Sequence, residues 1–182
     1  YSQYGYEMLK DEVKNLTYFR PPLHNSHLFK RHSAEDRKSL RSQLFGIESD
    51  DQFVFGFFGI NQHRKDPQRL IYTFSELLKE NTSQKKPVLY LHTETNEGPF
   101  LLQSFINELG IKTGDVFLKK QGYFYPSEAI VDIYNCMDAY VSVSLQEGLN
   151  WTIIEAQLCG VPVIASYNTA HKELLDNTKQ FK

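Results

Sequence analysis

Long apolar runs are missing from this sequence: no stretch approaches the roughly 20 residues that span a bilayer, and the opening residues do not read as a signal peptide. Strong charge of one sign is missing too. Among 182 residues, 20 Lys and Arg stand against 22 Asp and Glu, a formal net charge of −2. That balance gives no electrostatic reason to expect nucleic acid or an anionic membrane as partner, so any phosphate binding must come from a local site. Cysteine is scarce. Cys136 and Cys159 each sit in an apolar, helix-like setting, and they are expected to be free buried thiols in a reducing compartment. The six histidines form no His-x-Glu-x-x-His pattern and no Cys/His cluster at ligand spacing, so no metal is expected. Internal repeats and low-complexity segments are lacking as well.

What is present is a folding composition. With 41% hydrophobic and 14% aromatic residues, the chain is rich enough to bury one core and unlike a disordered segment. Three glycosylation sequons begin at Asn15, Asn81 and Asn150. The third falls inside the motif described below, where a glycan would block the site, so a cytoplasmic location is expected.

From residue 53 onward, short β-rich runs alternate with helical periods. Strands are expected at Phe53 to Gly59, Pro87 to His92, Val116 to Leu118, Ala139 to Ser144 and Pro162 to Ala165. Helices are expected between them. Asp66 and Pro67 open the first, with Leu70, Ile71, Phe74, Leu77 and Leu78 on one face. The others run over Phe100 to Leu109, Ser127 to Met137 and Asn150 to Cys159, with Gly110 and Gly160 as stop signals. This alternation implies βαβ units, hence an α/β, Rossmann-like parallel sheet with helices on both faces. Before it, the pattern predicts a short helix at Tyr6 to Lys14, a strand at Leu16 to Arg20, an extended connection through Pro21-Pro22, and a solvated helix at Ser33 to Leu44.

The chemistry concentrates in Glu147-Gly148-Leu149-Asn150-Trp151-Thr152-Ile153-Ile154-Glu155-Ala156, followed by Cys159-Gly160-Val161-Pro162-Val163-Ile164-Ala165-Ser166. Glu147 and Gly148 lie beyond the C-terminal end of the fourth strand, the edge where open α/β sheets bind ligands. The following helix points its free N–H groups and positive dipole end at the same crevice, a ready phosphate site. Glu155, within that helix, is placed to accept hydrogen bonds from a cis-diol such as ribose, and Glu147 from sugar hydroxyls. Gly148 lets the backbone approach a ligand closely. Taken alone, the two glutamates fit an ordinary loop residue and a solvated helix residue equally well. A second group, Gly59-Ile60-Asn61-Gln62-His63-Arg64-Lys65-Asp66-Pro67, puts two adjacent cations after the first strand, on the same edge. Gly56-x-x-Gly59 is not a dinucleotide-binding fingerprint.

The first group resembles the donor-site signature of GT-B-fold retaining glycosyltransferases, especially glycosyltransferase family 4. That pattern runs Glu-Gly-Phe-Gly, a hydrophobic stretch, a second Glu with Ala, then Cys-Gly-x-Pro-Val-Ile-Ala-Ser. The chain keeps Glu147, Gly148, Glu155, Ala156, Cys159, Gly160, Pro162 and Val163 to Ser166, and departs at Leu149-Asn150, where the family has Phe-Gly, and at Trp151-Thr152. The resemblance implies the C-terminal half of a GT-B fold that binds a nucleoside-diphosphate sugar and transfers the sugar with retention, without metal or other cofactor. It implies catalytic roles for Glu147, Lys65 and Arg64, and donor contacts from Glu155, Gly148, Leu149, Asn150, Gly59 and Asn61. Ile60 stands where the family commonly has an arginine, so Arg64 is expected to substitute.

By the same resemblance, residues 1–22 are a remnant of the N-terminal acceptor domain, 23–52 an interdomain linker with a charged helix, and 53–182 the donor-binding domain, incomplete at its C-terminus. The acceptor is undetermined, and the N-terminal domain is the implied partner in the reaction. Two rival readings remain at this stage. One is a non-catalytic nucleotide-sugar-binding or regulatory module on the same scaffold. The other is a related GT-B enzyme such as an epimerase or phosphorylase.

Overall fold

A computed structural model of the chain describes residues 2–18 and 25–176. Five strands form one sheet: β1 (Gln52–Phe58), β2 (Lys86–His92), β3 (Val116–Leu118), β4 (Ala139–Ser142) and β5 (Val163–Ala165). All pairings are parallel, in the order β3-β2-β1-β4-β5. Parallel neighbours cannot be joined by hairpins, so each connection crosses a face of the sheet. The crossovers carry α3 (Pro67–Glu80), α4 (Leu102–Glu108), α5 (Ser127–Asn135) and α6 (Trp151–Leu158), while α1 (Gln3–Leu9) and α2 (Ala34–Phe45) precede the sheet and α7 (His171–Asp176) follows it.

The strand residues alternate between two cores. Val54 and Phe58 of β1, Val88 and Tyr90 of β2, and Tyr140 of β4 face a core completed by Phe45, Val131, Tyr134, Met137 and Ile153. Phe57, Leu89, Leu91 and Val141 face the opposite core, under Leu70, Ile71 and Phe74 of α3 and Leu102 and Ile106 of α4. Both faces are therefore covered, as the expected α/β class requires. Cys136 and Cys159 are free and fully buried, and burial pushes both thiols up to about 12. Gly56 answers to packing: a Cβ there would lie 2.0 Å from the Met137 sulfur.

Local signals place most boundaries. Asp66 caps α3 by accepting from the Arg69 amide at 3.3 Å, with Pro67 in the first turn. Gly110 and Gly160 take left-handed backbone just past α4 and α6. The expected start of α4 at Phe100 is two residues early, because the Phe100 carbonyl is held by the Asn61 side chain at 2.7 Å and the Leu102 amide bonds to Thr95. The N-terminal reading needs more correction. α1 begins at Gln3, not Tyr6, capped by the Ser2 hydroxyl on the Gly5 amide. Residues 16–18 form no strand; Phe19, Arg20 and the Pro21-Pro22 connection lie outside the described residues. A 3-10 turn at Ser26–Leu28 and helix α7 appear without having been expected.

Helix α2, expected to be solvated, is anchored on one face. The Arg41 guanidinium donates to both carboxylate oxygens of Asp138 at 3.0 Å and to the Gln52 carbonyl at 2.9 Å. Asp138 in turn accepts from the Val54 amide at 2.8 Å, and Arg37 donates to the Asn135 carbonyl at 2.7 Å. One carboxylate thus ties α2 to the entrance of β1 and β4. Removing one partner of a buried ion pair typically costs about 3–5 kcal/mol. Asp138→Ala, which removes the bidentate partner of Arg41, the 3.7 Å pairing with Arg37 and the Val54 amide bond together, is expected to lose about that much in urea-unfolding measurements, and more than Arg41→Leu, which leaves Asp138 its Val54 bond.

Candidate functional site

The strand order reverses between β1 and β4, so the loops leaving their C-terminal ends diverge to opposite faces and open a crevice. A backbone bond from the Leu145 amide to the Arg64 carbonyl, 2.8 Å, joins the two loops across it. Beside this bond, Lys65 Nζ lies 2.5 Å from Glu147 Oε1 and Arg64 Nη1 lies 2.8 Å from Glu147 Oε2. The Glu147 and Lys65 side chains are 6% and 11% exposed, whereas Arg64 keeps 41% of its surface in solvent. Burial alone would raise the Glu147 carboxyl. The Lys65 ammonium, the Ser144 hydroxyl and Arg64 outweigh that and hold it below the usual carboxylate range.

Two cavities flank this ion cluster. One of about 370 Å³ is lined by Arg64, Glu147, Gly148 and Thr169, together with Tyr4 of α1. The other, about 700 Å³, is walled by Gly59, Asn61, His92, Lys119 and Thr152. Gly148 faces open space, so its backbone is accessible from the crevice. Helix α6 starts at Trp151, three residues past Gly148, so its N-terminus lies at the same loop.

The structure brings Arg64, Lys65, Glu147 and Gly148 together, with Gly59 and Asn61 on the neighbouring wall. Other expected contacts have their side chains committed elsewhere. Leu149 is packed into the core, 4% exposed. The Asn61 amide donates to the Glu97 and Phe100 carbonyls, holding the β2–α4 loop rather than facing outward. Asn150 takes left-handed backbone (φ 69°) and turns its side chain inward, its Nδ2 donating to His171 Nε2 at 2.8 Å. Left-handed backbone is what glycine accepts most readily and asparagine next, so Asn150 preserves a glycine-like chain path. Leu149 and Asn150 can therefore meet a ligand through the backbone only.

Glu155 is half-buried, with its Oε2 accepting from the hydroxyl of fully buried Tyr134 at 2.8 Å. Burial raises the Glu155 carboxyl, and the Tyr134 bond opposes the shift. His92 stacks on Phe58, ring centroids 4.4 Å apart, and contacts the Tyr90 hydroxyl at 2.8 Å. Burial, with Lys119 nearby, lowers it to about 4, so at neutral pH it is an uncharged donor or acceptor. Lys119 is paired with Glu94 on the same wall. Among the described residues, no group of three His, Cys, Asp or Glu side chains is arranged to hold a metal ion.

Tyr134, Thr169 and His171 were not expected at the site. Tyr134 reads as one more apolar position of α5, and no spacing marks Thr169 or His171. Their roles follow from tertiary contact: Thr169 Oγ1 accepts from the Glu147 amide at 3.0 Å.

The D-inositol 3-phosphate glycosyltransferase of Corynebacterium jeikeium is 33% identical over 116 residues, 62% of this chain and 27% of that protein. The chain spans under a third of the length of the curated relatives it matches first. Among solved structures, the C-terminal domain of a glycosyl transferase group 1 family protein from Francisella tularensis superposes with a TM-score of 0.61 at 17% identity, covering 81% of this chain and 72% of that one. Anabaena HepE in complex with UDP gives 0.62 at 24% identity, covering 82% and 38%. The model of the glycosyl transferases group 1 family matches residues 52–181, every strand of the sheet and both loops that carry the Lys65–Glu147 pair, and the chain belongs to that family.

Proposed function

We propose that the chain is the donor half of a glycosyltransferase, binding a nucleoside-diphosphate sugar in the crevice between β1 and β4 and transferring the sugar with retention. The observation that carries this reading is the pairing of Lys65 and Arg64 with Glu147, in the loop from which α6 starts. Negative charge grows on the departing diphosphate as the glycosidic bond breaks. Two fixed cations and a helix N-terminus stabilise that charge without a metal ion, and they need no reorganisation at the moment of reaction. Glu147, ionised and buried, accepts from sugar hydroxyls, and Glu155 accepts from the ribose diol. HepE, solved with UDP, shares this fold and supports a nucleotide as ligand. The acceptor and its deprotonating group belong to the N-terminal domain that the longer relatives have room for. The glycine-like path at Asn150 supports the catalytic reading over a non-catalytic module.

Calorimetry with UDP, GDP and ADP, and with the matching nucleosides, tests the reading. Glu155→Ala is expected to weaken nucleotide and nucleoside together. Lys65→Ala is expected to weaken only the diphosphates, by about 10- to 100-fold, since hydrogen bonds to charged groups contribute roughly 1.5–3 kcal/mol. Equal affinity in wild type and both variants would sink the assignment.

The role given to Glu147 also has a pH signature. Its folded pKa is depressed below 4.5, so its pairing with Lys65 and Arg64 stabilises the fold above the unfolded value and is lost as pH falls through the folded one. Glu147→Gln is therefore expected to unfold at lower urea than wild type at pH 7, with the gap closing under acid conditions. A gap that stays constant with pH would argue against an ionised, paired Glu147.

A further inference from the structure

The loop after β5 grips the loop after β4 at several points. Ser166 Oγ and Asn168 Nδ2 donate to the Ser144 carbonyl at 2.7 and 3.0 Å, and Thr169 Oγ1 receives the Glu147 amide. The deepest contact is His171, fully buried at the start of α7. Its Nδ1 lies 2.9 Å from the Ser166 carbonyl oxygen. A carbonyl only accepts, so Nδ1 carries the proton and Nε2 is left as an acceptor. Asn150 Nδ2 fills it at 2.8 Å and also donates to Ser142 Oγ at 3.1 Å. Asn150 Oδ1 receives the Thr152 hydroxyl at 2.7 Å, and Tyr140 closes the chain on Thr152 Oγ1 at 2.5 Å. Every polar atom of the Asn150 amide is used, and the imidazole fits as the neutral form with the proton on Nδ1. Burial, which disfavours the charged ring, points the same way.

We propose that His171 and Asn150 form a positioning pair that pins the left-handed turn at Asn150 and so aims Gly148 and the first amides of α6 at the diphosphate of a bound nucleotide. The inference rests on the reading of the crevice as a nucleoside-diphosphate site. Glycine would adopt this backbone freely but would not hold it. Asparagine adopts it at a small cost and is locked by a partner from another loop. His171 acts through Asn150 and touches no ligand itself. The pair should therefore govern phosphate affinity and leave nucleoside contacts alone.

The test is calorimetry on the 182-residue chain with UDP, GDP and ADP and with uridine, guanosine and adenosine, comparing wild type, His171→Leu, His171→Gln and Asn150→Gly. His171→Leu is expected to lose roughly tenfold in affinity for the best-bound diphosphate while the matching nucleoside binds as before. His171→Gln offers an acceptor to Asn150 and a donor to Ser166, and should stay within about threefold of wild type. Long-range ¹⁵N–¹H spectra of the wild type should show a neutral ring protonated on Nδ1. Diphosphate binding unchanged in His171→Leu, equal losses for diphosphate and nucleoside, or failure of His171→Gln to rescue would each overturn the proposal. Should His171→Leu not fold, Asn150→Gly carries the test, because glycine keeps the backbone and removes only the link: the same split supports the pair, and wild-type affinity overturns it. Wild-type protein that binds none of the three diphosphates overturns the nucleotide reading and this inference together, whereas wild-type binding with an unaffected His171→Leu removes this inference alone.

Discussion

An all-parallel sheet whose strand order reverses once must leave a gap at the reversal, and the Lys65–Glu147 pair spans that gap. The geometry follows from connectivity: β1 hands its chain to α3 on one face, while β4 hands its chain to α6 on the other. The loops part, and charged side chains fill the space between them. A buried carboxylate facing two cations would be an expensive way to hold two loops together, because desolvation offsets much of the Coulomb gain. The Leu145–Arg64 backbone bond already joins them. The cluster therefore adds little as a staple, and its place beside an accessible glycine backbone is what the proposed phosphate site requires.

Much of this was legible in the sequence, for identifiable reasons. The central strands β1, β2 and β4 announce themselves as apolar runs because parallel strands covered on both faces need apolar side chains on both, whereas the edge strands β3 and β5 are only partly buried. Asp66-Pro67, Gly110 and Gly160 mark helix ends through local backbone chemistry that tertiary context did not override. Lys65 and Glu147 were legible as candidates at one crevice because both follow strands at the ligand edge; that they form an ion pair is visible only in the structure. What failed was whatever depended on partners far along the chain. Helix α2 looks solvated because its buried face is marked by Arg41, a charged residue whose partner Asp138 lies 97 positions away. Tyr134 orients Glu155 through a hydroxyl that no apolar period reveals. Leu149 and Asn61 were offered as donor contacts by the family resemblance; their side chains are occupied with the core and with a neighbouring loop, which leaves only their backbone to a ligand.

The distribution of backbone strain adds a further step. Three of the non-glycine residues with left-handed backbone, Asp66, Asn150 and Thr169, sit on the loops after β1, β4 and β5 that surround the crevice. Asp and Asn tolerate that conformation, but Thr169, at φ 39°, is β-branched and has no such excuse. A strained residue persists only where its surroundings over-determine it. Here the constraint is visible, since Thr169 Oγ1 receives the Glu147 amide at 3.0 Å and donates to Asn168 Oδ1 at 3.1 Å. The strain is thus spent on setting the backbone of the residue that faces Lys65. The loops after β1, β4 and β5 are tied to one another by hydrogen bonds, the kind of preorganisation that the proposed reaction would need. The glutamate after the fourth strand is thus held by a threonine 22 positions later, and the asparagine three positions on from it by a histidine at the start of α7.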